Sequence, residues 1–181
     1  MFLFLELPEL NAVHACWNVS DIEWLKQGNH YKMSEQLLVD SHQKGSVAYN
    51  VINDTLKGTE INIPEEFAWH DKDGNLRTEN RYKWWVDTKG ATYGECIFNC
   101  PDNIKSNITS AAINVSVYPK EYPPVFFGHY WLEDKTPSIQ SCNVVCLDYS
   151  IAKKGNLVAY SYNGEALVDD RNFVFVTYGK V

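Results

Sequence analysis

Two histidines stand out by their settings. His14 lies in AVHACW (12–17) and His129 in VFFGHYW (125–131), each within or just after an apolar run that reads as a short strand. Sheet proteins hold functional groups where strands hand over to loops, because a rigid strand end positions a side chain. An imidazole there is a candidate metal ligand or a satisfied structural residue. The 115 positions between the two leave both readings open. Gly128, just before His129, permits a sharp turn or a close backbone approach to a ligand. Tyr130 and Trp131 follow, with rings able to stack on a nucleotide base, line a pocket or pack into a core.

Other ligand-type residues carry weaker signals. The five cysteines include two C-x3-C pairs, Cys96 with Cys100 and Cys142 with Cys146. Zinc ribbons usually use C-x2-C, and both pairs fall in expected strands or their ends, so buried reduced thiols are the expectation. Gly28-Asn29-His30 falls where a helix should stop, and Asp40-Ser41-His42 lies in an expected helix. A C-cap and a solvated helix end account for them. Four N-x-[ST] sequons, at Asn18, Asn53, Asn107 and Asn114, are few enough to arise by chance.

The elements that must position these residues alternate in type. Apolar 2–5 and 12–17 read as strands broken at Pro8. Ser20 with Glu23 reads as a capping box opening a helix that Gly28 ends, and further helices are expected at 34–42 and 46–57. Residues 66–97 read as an inserted antiparallel region with turns at Asp73-Gly74-Asn75 and Thr88-Lys89-Gly90, and 98–110 as a loop. Strands are then expected at 125–128, 143–149, 157–162 and 173–178, with 157–162 pairing with 165–168 through Asn163-Gly164. The fold class expected is α+β, over a single or partial domain spanning 1–181.

Composition bounds the function. The chain has 181 residues, 14% aromatic content and a formal charge of −7. That balance argues against nucleic-acid partners, which need clustered cations. No apolar run is long enough to span a membrane, and Glu6 and Glu9 interrupt the first one, so a cytoplasmic location is the expectation.

VHACW (13–17), PPVFFGHYWL (123–132) and NVVCLDYSIAKKGNLVAYSYNGE (143–165) together resemble the C-terminal half of calcineurin-like metallophosphoesterases. The nearest likeness is to bacterial serine/threonine phosphatase-like and bis(5′-nucleosyl)-tetraphosphatase-like proteins. The stretch at 56–85 shares it, so the resemblance covers nearly the whole chain.

The resemblance implies a sandwich of two mixed sheets flanked by helices, and a site with two divalent ions (Mn, Fe or Zn) sharing a bridging hydroxide. His14 and His129 match the histidines of the family's VHA-type and GH-type motifs, both metal ligands. Asp148 and Tyr149 match a segment running near the site, as support for the ligands. The substrate would be a phosphorylated small molecule, such as a dinucleoside polyphosphate, or a phosphoprotein. The family's acidic motifs lie before its VHA motif, and only 13 residues precede His14. A truncated gene, a split enzyme completed by a missing N-terminal half, and a degenerate relative all fit. The alternative function is a non-catalytic remnant or binding module.

Overall fold

The computed structural model describes residues 1–70, 74–107, 117–165 and 167–179. The fold is α+β, and it divides into two compact units. One comprises Met1–Lys57 with Tyr118–Val181, the other Gly58–Val117.

The first unit is organised by a four-stranded mixed sheet, with β1 (Phe4–Glu6), β2 (Asn11–Val13), β7 (Val125–Phe127) and β8 (Val144–Cys146) in the order β1-β2-β7-β8. β1 is antiparallel to β2, while β2, β7 and β8 run parallel. Parallel strands sit under cover on both faces, which is why VFF and VVC are continuous apolar runs without polar alternation. Val125, Phe127, Val144, Val145 and Cys146 are all buried. Two buried asparagines fasten the sheet's entry side. Asn11 donates to the Tyr118 hydroxyl, and Asn143 donates to the carbonyls of Pro119 and Tyr122.

Between β2 and β7 the first unit contains three helices, α1 (Val19–Gln27), α2 (Glu35–Asp40) and α3 (Val47–Lys57). α1 starts before the expected cap: Asn18, not Ser20, is the N-cap, its side chain accepting from the Ser20 backbone N–H. Glu23 instead pairs with Lys26. Ser34 caps α2 through the Leu37 N–H. Gly28 closes α1 as expected, and His30 lies against Trp24. The His42 ring meets the Leu38 carbonyl at 2.6 Å. The carbonyl of Thr55, near the end of α3, accepts from the Ala15 and Cys16 N–H groups and ties the chain just after His14 to that helix.

Further on in the first unit, the expected strand at 143–149 is broken at Leu147 into β8 and β9 (Asp148–Tyr149). β9, β10 (Asn156–Tyr160) and β11 (Phe173–Thr177) form an antiparallel sheet in the order β11-β10-β9. The expected return of 165–168 onto β10 does not occur among the described residues (Ala166 lies outside them). At Asn163-Gly164 the chain bends, with the Glu165 carboxylate accepting from the Asn163 N–H. The partner of β10 is β11, over five residue pairs from Asn156↔Thr177 to Tyr160↔Phe173. The longer register buries more paired backbone than the local hairpin offers.

The second unit holds β3 (Glu60–Asn62) paired with β6 (Glu79–Arg81), and β4 (Trp69–His70) paired with β5 (Leu76–Arg77). The first expected hairpin is therefore present, although Asp73 of its turn lies outside the described residues. The second is not: after the 88–90 turn the chain enters α4 (Tyr93–Cys96), where Thr92 and Glu95 make a reciprocal capping box. Tyr93, Ile97, Cys100 and Ile104 close a small core with Ile63. Trp84 and Trp85 are buried with their rings edge to face. Asn114, one of the sequons, lies outside the described residues.

Candidate functional site

The register of the parallel strands brings the two histidines together. β2 and β7 are neighbours, with Asn11 opposite Val125 and Ala12 opposite Phe126. Carrying that register one step past each strand places His14 beside Gly128, and the Gly128 N–H donates to the His14 carbonyl at 3.0 Å. The pairing of β7 with β8 sets Phe127 opposite Cys146, so the chain just beyond reaches Asp148 next to His129. His14, His129 and Asp148 thus stand at the carboxyl ends of three adjacent parallel strands. Open sheets with parallel strands hold their ligands at that edge.

His14 Nε2 lies 3.2 Å from His129 Nδ1, with ring centroids 5.0 Å apart. One nitrogen donates to the other, in the direction the tautomers set. The same distance is within reach of a shared ion: two nitrogens each about 2.0–2.1 Å from one ion are separated by roughly 2.8–3.4 Å at octahedral to tetrahedral angles. The separation alone is compatible with two ligands of one ion as well as with a hydrogen bond. Among the described residues, no group of three His, Cys, Asp or Glu side chains is placed to hold one.

The loop carrying His129 has an unusual backbone. His129 has φ +66° and Trp131 φ +46°, while Tyr130 between them is fully buried. Left-handed backbone is costly for residues with a Cβ. Here it turns His129 and Trp131 to one side, their rings 5.7 Å apart, and sends Tyr130 inward against the edge of Phe127. Tyr130 is thus corrected from a base-stacking candidate to a core residue with no face open to a ligand. Trp131 is 40% exposed. The turn does not depend on Gly128. An added Cβ there would meet Asp148 Cβ and the His14 carbonyl oxygen at 3.6 and 3.7 Å, which is ordinary contact.

Asp148 holds this loop. One carboxylate oxygen accepts from the Trp131 N–H at 3.3 Å and the other from the Ser150 N–H at 3.2 Å. Its carbonyl also accepts from the Leu132 N–H. A single carboxylate therefore joins 128–132 to the turn that starts at Ser150. Tyr149 is buried beside it, and its hydroxyl exchanges hydrogen bonds with Ser138. Burial pushes its phenol up.

The cysteines are free thiols, and four of the five are buried. Burial raises Cys96 and Cys100 and pushes Cys146 up to about 12.

One neighbour was not legible as a site residue. Lys153, in the 3-10 turn Ile151–Lys153, places its ammonium 4.7 Å from the centre of the Trp131 ring. The sequence points away from this turn, because Lys154-Gly155-Asn156 departs from the Gly-Gly-Lys run of the family the chain resembles, which puts a phosphate contact there in doubt.

Among the described residues, no helix is long and apolar enough to cross a membrane. Comparison of the chain with protein-family models, with curated proteins and with solved structures finds no match.

Proposed function

We propose that this chain carries the histidine half of a binuclear metallophosphoesterase site, acting in metal-dependent hydrolysis of a phosphoester. The single observation carrying this reading is the 3.2 Å approach of His14 Nε2 and His129 Nδ1 at adjacent parallel strand ends. His14 and His129 would hold a Mn, Fe or Zn ion between them. Bound there, paired divalent ions would supply an activated water and neutralise charge on the phosphoryl oxygens.

The chain's own residues orient that centre. The Thr55 carbonyl and the Gly128 N–H fix the backbone at and just after His14, and Asp148 fixes the loop that aims His129 and Trp131. Bridging carboxylates and the remaining ligands would come from a further N-terminal half of the same sandwich of two mixed sheets. The substrates in view are phosphoproteins and dinucleoside polyphosphates.

Calorimetry with Mn²⁺ on the chain tests the reading. Weak uptake is expected of a site with two histidine ligands, with His14→Ala and His129→Ala each weakening it at least tenfold. Unchanged uptake in either variant overturns it.

A second reading has its own support. Asp148, the carboxylate beside the histidines, spends both oxygens on backbone N–H groups. A non-catalytic remnant or binding module would keep this clamp for stability alone, and would take up no metal.

A further inference from the structure

We propose that Lys153, held over Trp131, is a substrate-specificity residue of the same site, selecting phosphoesters with a second anionic group beside the scissile one. The inference rests on the metallophosphoesterase reading.

Four groups form a continuous row. His14 meets His129 at 3.2 Å, the His129 and Trp131 ring centroids are 5.7 Å apart, and the Lys153 ammonium lies 4.7 Å from the Trp131 ring centre. The last two steps put a fixed positive charge no more than about 10 Å from the His129 ring. A lone phosphoryl group at the histidine pair occupies only the near end of the row. The next phosphoryl group of a nucleoside diphosphate or dinucleoside polyphosphate extends along it toward the ammonium. Phosphoserine has no second group to offer.

The placement is built rather than incidental. Six non-glycine residues have positive φ among the described residues, and four of them (His129, Trp131, Ser150 and Lys154) belong to the two loops that make the row. Strained backbone concentrated in this way is kept where geometry serves a site. The Lys153 turn is closed by its own N–H on the Ser150 carbonyl at 2.8 Å, and Asp148 joins it to the Trp131 loop. The aromatic face restrains a side chain that would otherwise sample many rotamers, so less freedom is lost when it meets an anion. In a chain of net charge −7, a fixed cation at the mouth of the site also offsets the surrounding repulsion of anionic substrates.

The experiment compares AMP with methylene-bridged ADP, which resists hydrolysis, by calorimetry on the whole chain at saturating Mn²⁺. A phosphoserine peptide is the third ligand. Methylene-bridged ADP is expected to bind about tenfold tighter than AMP, the scale of one charge-assisted contact. Lys153→Met should bring the two within about twofold, weakening methylene-bridged ADP several-fold more than AMP or the phosphopeptide. Lys153→Arg should preserve the preference. Equal binding of the two nucleotides by the unaltered chain, or an unchanged preference in Lys153→Met, overturns the proposal. Absence of Mn²⁺ uptake by the unaltered chain overturns the phosphoesterase reading itself, and this inference with it. Normal uptake without a nucleotide preference overturns this inference alone.

Discussion

Replacing Gly155 by alanine should unseat the turn that carries Lys153. A Cβ at Gly155 would lie 2.1 Å from the Tyr149 carbonyl oxygen and 2.9 Å from that of Ser150. Both are backbone atoms, so no side chain can swing away. Relief requires one chain to retreat by about 1 Å, through a packed layer. Tyr149 pairs with Asn156 between β9 and β10, the Gly155 N–H donates to the Ser150 carbonyl, and the Tyr178 N–H donates to the Gly155 carbonyl. Overpacking costs about 1–3 kcal/mol. Weakening of two such hydrogen bonds adds about 0.5–1.5 kcal/mol each. The expected loss is therefore roughly 2–6 kcal/mol, a large share of the about 5–15 kcal/mol typical of a folded chain. Urea denaturation followed by tryptophan fluorescence measures it, with the midpoint falling by roughly 1–2 M. Gly164→Ala is the control. Its φ is +88° but nothing lies within 4 Å of the added Cβ, so only the strain of left-handed backbone, about 1–2 kcal/mol, applies. If Gly155→Ala costs no more than Gly164→Ala, the close backbone approach is not what fixes this turn.

Three further outcomes follow from particular contacts. Asp21 has a carboxyl oxygen buried without a hydrogen-bond partner, and burial, with repulsion from Asp54, raises its pKa to about 7. The folded state then binds a proton more tightly than the unfolded one, so this group's stability is fully present below about pH 4 and lost as pH rises through about 7. Asp21→Asn should exceed the unaltered chain in stability at pH 8 by about 1–3 kcal/mol, after allowance for solvent screening, with the gap closing below pH 4 in thermal melts. Asp148→Ala removes the acceptor for two loops and should cost about 1–3 kcal/mol, with hydrogen exchange rising at the Trp131 and Ser150 amides. Tyr130→Ala should cost about 3–5 kcal/mol as a core truncation, whereas Trp131→Ala, losing a half-exposed ring, should cost less than about 1 kcal/mol in the same denaturation assay.

The sequence showed some of this and concealed the rest for physical reasons. Continuous apolar runs marked β7 and β8, but the expected strands at 12–17 and 125–128 run too far: β2 stops at Val13 and β7 at Phe127. What made the site was the parallel neighbourhood of β2 and β7, which no local pattern encodes across 115 positions. The pairing of β10 with β11 failed to show for a related reason. Asn163-Gly164 is a sound local turn signal, and the chain bends there, but a five-pair register with a distant strand outweighed it. At 88–90 the turn chemistry was right and the following element wrong, because Thr92 and Glu95 cap a helix whose apolar residues had read as strand. Tyr130 and Trp131 are adjacent and similar in type. Their opposite fates depend on two left-handed residues that nothing in GHYW announces.

The outer margin of β11 carries a liability of its own. Phe173–Thr177 holds no charge, proline or bulge, and among the described residues it pairs only with β10. Val174 and Val176 stand exposed on one surface with Leu157. Such a margin is a template onto which any extended chain can add, so at high protein concentration strand accretion, more than the net charge, will govern colloidal behaviour. A lysine gatekeeper at Val174 or Val176 would blunt that growth without disturbing the histidine edge of the other sheet.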